Sequence, residues 1–138
     1  MIDINRIYDL EIDISSVQSK KTNIEFKQFD YNSCLIQILY HNNGTLIENI
    51  KDNAVVGVFK NSKGDLFIDD KTNKPIQTLA RNTANNSIIL LSIPDEVLKH
   101  SGSITCETII ITPDKKRLTS SAFVFTIEPS LLDIDLDF

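Results

Sequence analysis

The sequence predicts an all-β fold, an immunoglobulin-like antiparallel β-sandwich of about eight strands with one short helical turn near residues 95–100. Three observations lead there. Apolar residues recur with period two along most of the chain, the spacing of strands whose successive side chains leave opposite faces of a sheet. Candidate strands follow one another at intervals of roughly 8 to 15 residues, parted by short polar links. Helical character is confined to a single turn, so the chain does not alternate strand and helix as an α/β fold does. With 138 residues and 41% apolar composition, one core is affordable without disulfides or metal, since a chain of this size buries roughly 70% of its unfolded surface.

The elements read in order. In residues 8–14, Tyr8, Leu10, Ile12 and Ile14 take one face and Asp9, Glu11 and Asp13 the other, giving a strand with one wet face. Residues 23–29 are the next strand. Cys34, Ile36, Ile38 and Tyr40 then share a face until His41-Asn42-Asn43-Gly44 supplies turn residues, and this segment is expected to be a central strand. Residues 54–60 and 65–69 flank Asn61-Ser62-Lys63-Gly64, a polar link of hairpin type. From Asp69 to Asn86 the chain is polar and is expected to be an exposed excursion with little regular structure. Residues 87–93 are too short for an ordinary helix and suit a strand buried on both faces, which Pro94 ends. Asp95 to His100 places acids first and bases last, as a helix dipole favours, with Gly102 as the stop. Residues 103–112 and 117–127 form a second hairpin through Pro113-Asp114-Lys115-Lys116.

Residues 1–130 therefore make one sandwich domain, and residues 131–138 an acidic, apolar tail or last strand. Fourteen Lys and Arg against nineteen Asp and Glu give a net charge of −5, which argues against a phosphate backbone or nucleic acid as partner. Residues 1–13 carry −3 and residues 128–138 carry −4, leaving +2 for the body. The start Met1-Ile2-Asp3-Ile4-Asn5-Arg6 lacks the basic, then apolar, pattern of a secretory signal, and no window has the roughly 20 apolar residues that span a bilayer. Cytosolic synthesis without a signal peptide, and no membrane partner, are the expectations. Cys34 and Cys106 lie inside apolar runs and suit reduced core positions, the alternative being a bridge between two sheets.

Signals for chemistry are sparse. His41 and His100 have no Cys, His or carboxylate partner at zinc-ligand spacing, no serine sits in a Gly-x-Ser-x-Gly elbow, and no glycine-rich loop opens a helix. Asp9-x-Glu11-x-Asp13 and Asp133-x-Asp135-x-Asp137 lack the glycine and the distal Glu of an EF-hand loop, and read as solvated strand faces. Asn43-Gly44-Thr45 and Asn85-Asn86-Ser87 match a glycosylation acceptor, without the export signal that would give it meaning. The reading is thus no enzyme, no catalytic residue, no cofactor and no metal. What remains is a partner interface. Leu132, Ile134, Leu136 and Phe138 line one face of an extended tail, and with Asp9, Glu11 and Asp13 they are the candidate contact residues, acids facing a basic surface.

The order of features resembles the N-terminal domain of the baseplate upper protein of phages that infect Gram-positive bacteria. The carrying phrases are the strand Tyr8–Ile14, the run Phe26-Lys27-Gln28-Phe29-Asp30-Tyr31-Asn32-Ser33, Leu35-Ile36-Gln37-Ile38 with the Asn43-Gly44 turn, and Val58-Phe59-Lys60 with Lys63-Gly64. They continue with Ile93-Pro94-Asp95-Glu96-Val97-Leu98 before Ser101-Gly102, and close on Ser120 to Ile127. The resemblance implies a virion structural protein of the tail baseplate that docks on the distal tail protein at the hub and carries receptor-binding proteins outward in host adsorption. It also implies a helical linker and trimerising region downstream, so self-association through such a region is a further expectation, while this sequence stops at Phe138. A carbohydrate-binding or adhesion sandwich on a virion or cell surface is the alternative function, but the chain has no Trp and three Tyr with which to stack sugars.

Overall fold

The computed structural model describes residues 4–69, 86–132 and 134. Two sheets face each other across one core. The first holds β1 (Arg6–Asp13), β3 (Cys34–Asn42), β4 (Thr45–Leu46) and β7 (Ile88–Ser92). In the second the order is β2 (Lys20–Lys27), β10 (Phe123–Glu128), β8 (Gly102–Ile111), β5 (Ala54–Lys60) and β6 (Leu66–Asp69), with β9 (Arg117–Thr119) also on β8. Between β7 and β8 lies the short helix α1 (Asp95–Leu98), and a 3-10 turn, Ile50–Asp52, precedes β5.

The period-two faces of β1 and β3 fall as expected, and β2 and β8 alternate in the same way. Leu10 and Ile12 of β1, Ile24 and Phe26 of β2, Ile36, Ile38 and Tyr40 of β3, and Ile104, Cys106 and Ile110 of β8 all point into the core. β3 is central to its sheet, with β1 along one side and β7 and β4 sharing the other. β7 is covered on both faces: Ile89 and Leu91 face the main core, and Leu90 joins Leu35, Ile7 and Ile88 in a smaller cluster outside the sheet.

Pairing direction departs from the antiparallel expectation. β1 runs parallel to β3, and β2 parallel to β10, so both sheets are mixed. After β1 the chain crosses to the opposite sheet as β2 and returns to lie beside β1, which turns β2 and its loops into the crossover that a parallel pair needs. The described residues hold ten strands rather than about eight. Two are the short β4 and β9, the latter split from β10 because the ladder is interrupted at Ser120, whose hydroxyl takes the Thr108 amide at 3.0 Å. The second strand is displaced from 23–29 to Lys20–Lys27 because Phe29 adopts φ of 70° while its amide bonds Leu98 O at 3.0 Å, a conformation no strand continues through. The helical turn ends at Leu98, short of His100, after burying Val97 and Leu98. Most of the expected excursion between Asp69 and Asn86 lies outside the described residues.

Turns follow local chemistry. Asn43 and Gly44 have φ of 51° and 83°, the pair of positive values that a two-residue β3–β4 hairpin demands. In the β5–β6 link Asn61 is buried, and its Oδ1 accepts the Lys63 and Asp65 amides at 3.0 and 2.9 Å. Cys34 and Cys106 are buried free thiols on opposite sheets. Burial, helped by the Asp30 charge, pushes the Cys34 thiol up to about 11, and burial raises Cys106 as well, so both are packing groups rather than nucleophiles.

Candidate docking surface

β1 is the outermost strand of its sheet and presents its acids on the outer face. The register sets Asp9 opposite Gln37 and Glu11 opposite Leu39, with Leu90 and Ile88 following on β7. Asp9 and Glu11 are exposed, and the Gln37 amide donates to the Asp9 carboxylate at 2.8 Å, which fixes that acid above the sheet. A groove of about 490 Å³ runs here, with Asp9, Glu11, Gln37 and Lys20 as polar walls and Leu39 and Ile88 as apolar floor. Such a mixed patch, charged at the rim and apolar at the floor, has the anatomy of a modest protein interface.

Asp13 continues the same alternation but is occupied otherwise. One carboxylate oxygen accepts the Ser15 hydroxyl at 2.6 Å and the Ser15 and Asn43 amides at 3.0 and 3.1 Å, while the other accepts the Gly44 amide at 2.9 Å. It therefore clasps the β3–β4 turn to the end of β1. These bonds, those from Ser15 foremost, hold the carboxyl well below the usual carboxylate range. A folded-state value below the unfolded one means stabilisation that is complete above the unfolded value and fades as pH falls from there toward the folded value. Asp13→Asn is accordingly expected to lower the urea midpoint at neutral pH, with the gap to wild type narrowing by about pH 2. An equal gap at both pH values would show that the charge contributes nothing.

The tail candidates are partly visible. Leu132 is 48% and Ile134 61% exposed, beside a fully exposed Leu131, whereas Leu136 and Phe138 lie outside the described residues. The tail leaves the end of the sandwich where β10 finishes: the Ser130 amide meets Gln28 Oε1 at 3.4 Å, and Gln28 Nε2 donates to Lys99 O at 2.8 Å.

Two surfaces were missed by sequence reasoning. Leu66 and Ile68, 65% and 72% exposed, stand on the edge strand β6. At the end of the sandwich opposite Ser130, an open apolar groove of about 580 Å³ is lined by Ile14, Ile47, Ile50, Ile110 and Leu118, with Lys116 and Arg117 beside it. The alternation that puts Ile110 inward was legible, but the convergence of four separate segments on this mouth was not. Among the described residues no three of His, Cys, Asp and Glu converge as metal ligands would, and no helix is long and apolar enough to cross a membrane. His41 is half-buried within β3 and His100 is exposed beyond α1.

No curated protein matches the chain in sequence. Among solved structures, the N-terminal domain of phage TP901-1 ORF48 superposes with a TM-score of 0.64 at 11% identity, covering 88% of this chain and 98% of that one. At such low identity the likeness speaks for the fold. CopC from Methylosinus trichosporium OB3b, at 13% identity over 83% of this chain and 87% of its own, reaches only 0.44, below what a shared fold requires. The family model of the BppU N-terminal domain matches residues 6–137, from the first residue of β1 to the tail. With nearly the whole chain inside that match, the protein belongs to the BppU N-terminal domain family, a structural domain of the phage tail baseplate.

Proposed function

We propose that this domain docks on the distal tail protein at the hub of the tail tip and links it to receptor-binding proteins. The family match over residues 6–137 carries the reading. The outer face of the first sheet is the docking surface we assign, with Asp9 and Glu11 meeting basic groups of the hub over the Leu39 and Ile88 floor. Asp13 takes no part, because its carboxylate is already committed to the Ser15, Asn43 and Gly44 donors. Exposed charges steer encounter and set register more than they add affinity, so the contact is salt-sensitive.

The test is size exclusion with light scattering on the chain mixed with the distal tail protein of the same phage. A complex of fixed stoichiometry is expected at low salt, weakened at high salt as the screening length shortens. Asp9→Lys with Glu11→Lys is expected to weaken it about tenfold or more, since each reversal replaces an attraction with a repulsion. Two separate peaks at low salt would sink the docking reading, and a complex indifferent to the double variant would move the interface elsewhere.

A further inference from the structure

We propose that the apolar groove bounded by Ile47, Ile50, Ile110 and Leu118 receives the C-terminal segment, residues 131–138, of a second copy of this chain. The groove lies between the sheets at one end of the sandwich. Its floor is made by aliphatic side chains, Leu118 among them still 43% exposed, and its wall carries Lys116 and Arg117. Lys116 is held only loosely by Asp114, at 3.9 Å, with both side chains largely exposed. The site therefore asks for a segment that is apolar on one side and acidic on the other.

Residues 131–138 have that composition. Leu132, Ile134, Leu136 and Phe138 alternate with Asp133, Asp135 and Asp137. Leu131, Leu132 and Ile134 find little cover on their own chain. In an extended backbone the leucines, isoleucine and phenylalanine share one face and the aspartates the other, so apolar burial and pairing with Lys116 and Arg117 are satisfied together. Residues 70–85 are a poorer match, for they contain three basic residues and one acid and would set like charge against the basic wall.

Reach decides against a chain's own tail. The tail departs beside Gln28, near Gly102 at the start of β8, whereas the groove sits around Ile110 at the far end of that strand. The strand separates them by about 27 Å. Eight fully extended residues span about the same length, so all of it would be spent on arriving, with no residue left to fill the groove. A neighbouring molecule has no such constraint. Because tail and groove occupy opposite ends, the contact is head-to-tail, and it propagates into a ring or an open chain rather than closing as a symmetric dimer. One short segment in one groove buries less than a standard interface, so association is expected to be weak and concentration-dependent.

The test uses the full chain alone and is independent of which baseplate protein it meets. Light scattering is expected to show a mass that rises with protein concentration and falls on raising salt. Leu118→Asp disables the groove at an exposed position, and Ile134→Asp with Leu136→Asp disables the tail. Each variant alone is expected to be monomeric, while an equimolar mixture forms a dimer that does not extend, since one partner supplies the only intact tail and the other the only intact groove. Wild type that stays monomeric to about millimolar concentration, a single variant that still associates, or a mixture that does not pair would each overturn the proposal.

Discussion

Phe125→Ala is expected to lower the unfolding free energy by about 3–5 kcal/mol, among the largest losses any single truncation in this domain can cause. Phe125 is fully buried on β10 and lies at the meeting point of three other rings. Phe26 from β2 and Phe59 from β5 meet it edge-on at 5.8 and 6.4 Å, and Phe123 on its own strand lies 6.2 Å away. Phe26 in turn meets Tyr8 of the opposite sheet at 5.3 Å, so the ring set runs from β5 through β10 and β2 to β1. Its removal leaves a cavity among stiff neighbours that are themselves fixed by backbone ladders, and edge-to-face contacts worth about 0.5–1.5 kcal/mol each are lost besides the transfer energy. For a domain whose total stability is on the order of 5–15 kcal/mol, that is a large share. Urea denaturation measures it, with Leu66→Ala as the control, since an exposed position is expected to change stability by less than about 0.5 kcal/mol. A Phe125 cost below about 1 kcal/mol would mean that the rings collapse into the space and are not a fixed set.

What the sequence disclosed and what it hid can be separated on individual residues. Alternation in Tyr8 to Ile14 established which side chains face inward, because the face a residue takes depends only on its own strand. Whether the neighbouring strand runs parallel or antiparallel leaves that alternation unchanged, and so the β1–β3 and β2–β10 directions were invisible to it. Local turn chemistry was readable at Asn43-Gly44 and at Asn61 to Gly64, where the residues that need positive φ or short-range bonds are adjacent in sequence.

Non-local contacts were the limit at the candidate surface too. Asp9, Glu11 and Asp13 are equivalent by spacing. Only the fold distinguishes them, bringing the Asn43 and Gly44 amides onto Asp13 from 30 and 31 residues away and leaving Asp9 and Glu11 on the outer face. The groove around Ile110 and Leu118 escaped for the same reason, as its walls come from the β1 end, the segment after β4, the 3-10 turn and the β8–β9 hairpin. The family, by contrast, was carried by the order of short phrases along the chain, a signal that needs no contact map.

Thr108→Val tests a polar thread through the core, and is expected to cost about 2–3 kcal/mol despite preserving side-chain shape. Residue 108 lies on the inward face of β8 between Cys106 and Ile110, which makes a threonine there conspicuous. Its hydroxyl accepts from the Tyr40 phenol at 2.8 Å and donates to Ser120 Oγ at 2.9 Å, and Ser120 passes its own proton to Ser121 O at 3.1 Å. Every group in this chain has a direction and a partner, and Tyr40, Thr108 and Ser120 are all buried. Burial drives the Tyr40 phenol above its ordinary range, so it remains a donor at neutral pH. Valine would leave the phenol proton without an acceptor in a site that water does not reach, and would strip Ser120 of one of its two donors, the Thr108 amide remaining at 3.0 Å. Because the penalty arises from the orphaned phenol, adding Tyr40→Phe to Thr108→Val is expected to recover about 1 kcal/mol or more, so that the double variant is less damaged than the sum of its parts. Strict additivity in urea denaturation would show that the two hydroxyls act independently. Recovery would identify Tyr40 and Thr108 as a coupled pair joining the two sheets, with Ser120, buried at the break between β9 and β10, completing their chain of hydrogen bonds.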